Sequence, residues 1–204
     1  KILNAITDNL LDQSAIENNK LKITPTPLNL KLLATEVVET FSYLEKRKNL
    51  KFDLVIGSGV PSGIISDRVR LIQILNNLVG NAVKFTQKGF VRINIDAQAN
   101  GSDEELVFSV QDSGIGISKD KINDILKRFQ QETSQTNELY GGLGLGLSIS
   151  KQLIEKLGGK LQVASVKNKG TSFSFNLPFI PFNENKKLPN KPILQQSNSA
   201  KKIL

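Results

Sequence analysis

The chain has 204 residues, with 27 Lys and Arg against 19 Asp and Glu for a formal charge of +8, and its 39% of apolar residues suffices to bury one good-sized core. It contains no cysteine, which excludes a disulfide scaffold, cysteine-ligated zinc, iron-sulfur clusters and a thiol nucleophile. It also contains no histidine, so no imidazole within this sequence can act as a base, ligate a metal or accept a phosphoryl group.

The excess charge is uneven. Residues 183–204 carry Lys186, Lys187, Lys191, Lys201 and Lys202 against Glu184 alone, in a stretch rich in Asn, Pro, Ser and Gln that reads as a flexible linker. The other half of the excess is dispersed among carboxylates, so no nucleic-acid-binding face is expected. No apolar run is long enough to cross a bilayer and no signal peptide precedes the first helix. The chain opens at Lys1 and contains no Met, which predicts a piece of something longer.

From 1 to about 20, Ile2, Leu3, Ile6, Leu10, Leu11 and Ile16 recur at helical spacing, predicting an amphipathic helix with a partner face. Pro25 and Pro27 interrupt it, and Asn29 is placed to cap a second helix through Leu33, Val37, Phe41 and Leu44. Leu50, Phe52, Leu54 and Ile56 alternate as a strand, residues 57–63 turn, and Ile64 and Ile65 form a short second strand. Asp67 then caps a long helix ending near Phe85. Val91, Ile93 and Ile95 mark one face of the next strand, and Leu106, Phe108 and Val110 mark its return. A short helix is expected near 119–128, a polar loop over 130–139, and a helix through Leu153 and Leu157 stopped by Gly158 and Gly159. A closing hairpin carries Leu161 and Val163 on one strand and Thr171, Phe173, Phe175 and Leu177 on the other, joined by a turn at 168–170. Together these predict an α+β fold: a two-layer α/β sandwich with helices packed on one face of a mixed, mostly antiparallel sheet, preceded by a single amphipathic helix.

Three constellations resemble chemistry. Asn77, Asn81 and Lys84 fall at i, i+4 and i+7, putting two amides and an ammonium on one stripe of a helix. Such a stripe suits magnesium and phosphate, or is simply a polar, solvent-facing surface. Asp112-Ser-Gly114-Ile-Gly116-Ile117 places an acid at a strand's end on the buried face, before two spaced glycines. It reads as a recognition carboxylate for the amino group of a base, in a local sequence with nothing to shift it toward proton transfer, or as an Asp that bonds its own turn. Four glycines within 141–146 run into a helix, either to expose N–H groups to a phosphate or to pack a turn. Thr171, inward on the last hairpin, could support Asp112. A metal and phosphate stripe, an amine-binding acid and an anion-binding helix start are together the parts of an ATP site.

In order and spacing the chain resembles the catalytic and ATP-binding domain of sensor histidine kinases, in the superfamily shared with gyrase and the Hsp90 chaperones. Asp67, Arg70, Leu71, Gln73, Leu75, Asn77, Asn81, Lys84 and Phe85 stand as in that family's N box, 112–117 as in its first glycine box, 144–149 as in its second, and 125–131 with Phe129 as in its F box. The resemblance implies ATP and magnesium as ligands. It implies that Asn81 holds the metal, that Asn77 and Lys84 assist catalysis at the phosphates, that Phe85 packs on adenine and that Asp112 bonds the adenine amino group. Gly114, Gly116, Ile117, Tyr140, Gly142, Leu143, Gly144, Leu145, Gly146 and Thr171 complete the implied nucleotide site, with 130–146 as the ATP lid. Related ATPases carry a water-activating glutamate at the place of Asn77. An amide there fits a transferase, because it cannot take the water proton.

By the same resemblance, 1–23 is the second helix of a dimerisation and phosphoacceptor hairpin, 24–182 the catalytic and ATP-binding domain, and 183–204 a linker entering a receiver domain of a hybrid kinase. The implied partners are the parent's phosphoacceptor hairpin, a response regulator or the attached receiver, and a second copy in a homodimeric parent. The implied location is cytoplasmic, with any membrane attachment made by missing parts. Two departures bear on nucleotide affinity: Leu143 replaces the usual Thr or Ser, and Glu138 and Leu139 stand where related lids carry Arg and Lys. They motivate one alternative, a nucleotide-gated, non-catalytic interaction module of the same fold.

Overall fold

The computed structural model describes residues 11–12, 14–16, 18, 20–100, 103–125 and 146–182. The described residues at 11–12 and 14–16 are helical, and Ala15 and Ile16 pack against the core of the following domain. The remainder of the predicted N-terminal helix, the segment 126–145 and the tail 183–204 lie outside the described residues.

Strand β1 (Thr26–Asn29) leads into helix α1 (Leu30–Phe41), whose N-cap Asn29 accepts from the Leu32 N–H at 3.0 Å. Ser42 separates α1 from helix α2 (Tyr43–Lys48), which ends at Asn49 in the left-handed region at φ 51°. Strands β2 (Leu50–Ile56) and β3 (Gly63–Ser66) follow. Helix α3 (Arg68–Phe85) is capped by Asp67, one carboxyl oxygen accepting from Arg70 N at 3.1 Å and the other from Thr24 N at 2.8 Å. The hairpin β4 (Gly89–Asn100) and β5 (Asp103–Asp112) comes next. A 3-10 turn at Lys119–Lys121 and the short helix α4 (Ile122–Ile125) occupy part of the helical segment expected over 119–128. Helix α5 (Gly146–Lys156), strands β6 (Lys160–Val166) and β7 (Gly170–Pro178), and the short β8 (Ile180–Phe182) complete the order.

Five strands form one mixed sheet in the order β2-β4-β5-β7-β6, with β2 parallel to β4 and every other pair antiparallel. The inward faces of β4, β5 and β7 supply Val91, Ile93, Ile95, Leu106, Phe108, Val110, Phe175 and Leu177 to the core, where Phe108 and Phe175 stack with centroids 4.8 Å apart. Leu33 and Val37 of α1, Leu71, Ile74, Leu75 and Leu78 of α3, and Leu153 and Ile154 of α5 close over them. Each fully buried side chain of this kind stabilises the fold by about 1.5–3 kcal/mol. The two-layer sandwich expected from the sequence is therefore present.

The sequence reading did not include β1 and β8, which flank β3 in a separate antiparallel sheet of order β1-β3-β8. Pro27 looks like a breaker in sequence. It is accommodated because β1 is an edge strand, where a missing N–H costs no ladder bond.

Candidate functional site

The site begins where the apolar core ends. Strand alternation sends Phe108, Val110 and Asp112 to the same face of β5, and the register aligns Val91, Asp112, Thr171 and Ser165 in one row across β4, β5, β7 and β6. One row deeper the partners are Ile93, Val110, Phe173 and Val163. The row is polar from Asp112 onward and internally bonded. Ser165 Oγ accepts from the Ile117 N–H at 2.8 Å, lies 2.9 Å from Thr171 Oγ1, and donates to the Gly170 carbonyl at 2.9 Å.

Asp112 is only 8% exposed. Its Oδ1 accepts from the Gly114 N–H at 2.8 Å, the two-residue bond of an Asx turn, so this acid does bond its own turn. Burial pushes its carboxyl above the ordinary value of 3.8, while N–H groups of Gly114 and Thr171 and the Thr86 hydroxyl oppose that rise. The upward shift differs from the unperturbed acid expected from the sequence, because burial at the end of β5 is a tertiary effect. Thr86 is fully buried with its hydroxyl near the Asp112 carboxyl, close enough to favour the charged form but too far for a closed hydrogen bond. A polar atom is thus left over beside the carboxyl.

The Asp112 turn docks on the end of α3. Ile115 N donates to Phe85 O at 3.3 Å, and Ser113 Oγ accepts from the Phe90 N–H at 2.9 Å. Internal packing already requires both glycines: a Cβ on Gly114 would lie 2.4 Å from Phe85 O, and Gly116, at φ +62°, would bring one 2.1 Å from Val166 O. Lys48 Nζ bonds the Val83 carbonyl at 2.9 Å, fixing the same end of α3 from the other side.

Along α3 the expected stripe is half-buried at Asn77, Asn81 and Lys84. Lys84 Nζ sits 5.0 Å from the centroid of the Phe85 ring, and burial lowers its pKa below 10.5. Asn77 is engaged differently: its Nδ2 donates to Gly146 O at 3.3 Å and to Ser150 Oγ at 3.2 Å, tying α3 to the start of α5. The structure thus gathers Asn77, Asn81, Lys84, Phe85, Asp112, Gly114, Gly116, Ile117, Gly146 and Thr171 around the end of the sheet and the helices that cover it. Tyr140, Gly142, Leu143, Gly144 and Leu145 lie outside the described residues.

Residues 66–181, from the strand before α3 into β8, match the family model for histidine kinase-, DNA gyrase B- and HSP90-like ATPases. The chain belongs to this ATPase family. It is 35% identical over 174 residues to the signal transduction histidine-protein kinase BarA of Escherichia coli (strain K12), a match covering 85% of this chain and 19% of that protein. The autoinducer 2 sensor kinase/phosphatase LuxQ of Vibrio parahaemolyticus is 39% identical over 180 residues, covering 85% and 20%. The chain thus spans about a fifth of the length of these curated relatives. Among solved structures, full-length ShkA in complex with AMPPNP aligns with TM-score 0.76 at 30% identity over 88% of this chain and 36% of that one. The histidine kinase ThkA in complex with the response regulator protein TrrA aligns with TM-score 0.65 at 26% identity, over 88% and 50%.

As a member of the ATPase family this chain is an ATP-binding domain, and the relatives named above are histidine kinases. Three neighbours of the candidate site were given no role from sequence: Thr86, Ser165 and Ser150. Ser165 was accessible through hairpin register, since a turn at 168–170 pairs it with Thr171. Ser150 follows Gly146 by one helical turn, but nothing local says that this face meets Asn77. No helix among the described residues is long and apolar enough to cross a membrane.

Proposed function

We propose that this chain is the catalytic and ATP-binding part of a hybrid sensor histidine kinase, which transfers the γ-phosphoryl group of ATP to a histidine outside this sequence. The observation that carries the reading is the position of Asp112: a buried carboxyl at the floor formed by the sheet's end, beside the helix that bears Asn77, Asn81 and Lys84. Asp112 accepts from the adenine amino group, Phe85 and Ile117 pack the base, and Thr171, with its hydroxyl held by Ser165, borders the carboxyl. Gly114 and Gly116 shape the turn beside the base, while Tyr140, Gly142, Leu143, Gly144, Leu145 and Gly146 close on the phosphates.

Asn77 and Lys84 orient the phosphates, and Asn81 holds magnesium. A neutral amide oxygen suits a metal that keeps most of its waters and its phosphate ligands. Magnesium held there would supply positive charge to offset the charge that develops at the phosphates during transfer. Catalysis by these residues is positioning and electrostatic stabilisation, and Asn77 cannot accept a water proton, which favours transfer over hydrolysis. The phosphoacceptor hairpin of the parent is the first partner, a response regulator or attached receiver the next, in a dimeric, cytoplasmic kinase assembly. The names of the relatives support this reading over a non-catalytic interaction module.

The test supplies the acceptor in trans. Incubation of the chain with labelled ATP, magnesium and a histidine-bearing hairpin from an intact kinase of this kind is expected to give acid-labile label on the hairpin. A chain that binds ATP saturably yet labels no hairpin would overturn the transferase assignment.

A further inference from the structure

We propose that Ser150 is a positioning residue that turns the oxygen end of the Asn77 carboxamide toward magnesium and its bound waters, through which Asn77 acts on the phosphates. The inference rests on the nucleotide reading above and deepens it by adding a residue that touches neither base nor phosphate.

A side-chain amide presents an acceptor at one end and two donors at the other, and rotation by half a turn exchanges them. At a magnesium phosphate site the two orientations are not equivalent. An oxygen can face a cation or accept from a metal-bound water, whereas an NH2 group aimed at either is repulsive. Asn77 is held by two acceptors on one helix: the Gly146 carbonyl at 3.3 Å and Ser150 Oγ at 3.2 Å, both bonded to Nδ2. The Gly146 carbonyl can only accept and so selects the nitrogen, and Ser150 Oγ accepts from the same nitrogen beside it, which leaves Oδ1 as the end free for a ligand.

Ser150 is suited to this because it is fixed. It is fully buried within α5, flanked by Ile149 and close in sequence to Leu153 and Ile154, which anchor the helix in the core. Gly146 lies one turn earlier on the same face, and a Cβ there would come 3.4 Å from Asn77 Oδ1, so the amide lies flat against the opening turn of α5. Asn77 and Asn81 are likewise one turn apart on α3, so an amide flipped at 77 would present a donor beside the proposed metal ligand.

The experiment is calorimetric titration of ATP, with and without magnesium, into the full 204-residue chain and its Ser150→Ala and Ser150→Thr variants, with a thermal melt of each. The readout is the gain in affinity that magnesium gives. Ser150→Ala is expected to lower that gain about five-fold, the effect of one ordinary net hydrogen bond, while leaving metal-free ATP binding unchanged. Ser150→Thr, which retains the hydroxyl, is expected to restore it. An alanine variant with the wild-type magnesium gain would overturn the inference, as would one weakened equally with and without metal, which is the mark of a structural role. Wild-type chain that binds no nucleotide would instead overturn the underlying site reading.

Discussion

Replacing Asp112 with Asn separates recognition from turn formation, because the two roles use the carboxyl differently. The turn needs only an oxygen to accept the Gly114 N–H at 2.8 Å, and an Asn side chain still offers one. Recognition of an exocyclic amine needs an acceptor at the other position, where Asn presents an NH2 donor. The loss is one hydrogen bond to a charged acceptor, about 1.5–3 kcal/mol, or roughly 10–150-fold in Kd. Stability moves little. Burial raises the folded-state pKa above 3.8, so the carboxyl favours folding while protonated, a contribution that is full below 3.8 and lost as pH rises through the folded value. At neutral pH the buried charge is therefore unfavourable, and the neutral amide relieves it, holding Tm within about 2 °C of wild type or above it. Asp112→Ala also removes the turn bond, at about 1 kcal/mol, which lowers Tm by about 2–4 °C for a chain of this size. Calorimetric titration with ATP and a GTP control, beside thermal melts, reads both quantities. An Asp112→Asn variant that binds ATP as well as wild type would refute the reasoning and leave Asp112 as a turn residue only.

Three further outcomes follow from particular contacts. Asp67→Ala orphans the N–H groups of Arg70 and Thr24 and uncaps α3, and about 2 kcal/mol of stability lost should appear as a Tm decrease of about 4–8 °C in a thermal melt. Gly170 has φ +109°, and a Cβ there would lie 1.9 Å from the Asp112 carbonyl, so Gly170→Ala should cost more than about 2 kcal/mol in denaturant unfolding and weaken ATP binding by displacing Asp112. Burial lowers the Lys84 pKa, so its ammonium loses its proton earlier on raising the pH than an ordinary lysine does; ATP affinity should fall as pH rises through that lowered value, and a Lys84→Gln variant should show a flat profile over the same range.

Much of the fold was legible because its signals are local. Asn29 and Asp67 bond N–H groups three residues ahead, and a cap of this kind depends on nothing beyond the helix's first turn. Strands β4, β5 and β7 bury one face against helices, so their alternation is complete and the strands themselves were readable. Strand β1 gave no such signal: only Leu28 of its four residues is buried, and its partner lies more than thirty residues away. The glycines of 112–117 were found for a different reason from the one the structure supplies, since Gly114 and Gly116 are required by the backbones of Phe85 and Val166.

By itself the sequence determined the helices and principal strands, the site stripe on α3 and the acid at the end of β5, because 3.6-residue and two-residue periodicities and side-chain caps act within a few residues. Only the tertiary structure decided that β2 runs parallel to β4, that Asp112 is buried deeply enough to raise its pKa, and that Asn77 is held by Gly146 and Ser150. Each of these depends on groups brought together from segments some forty to seventy residues apart, or on water excluded by several elements at once. Neither registers in the local pattern of residues along a chain.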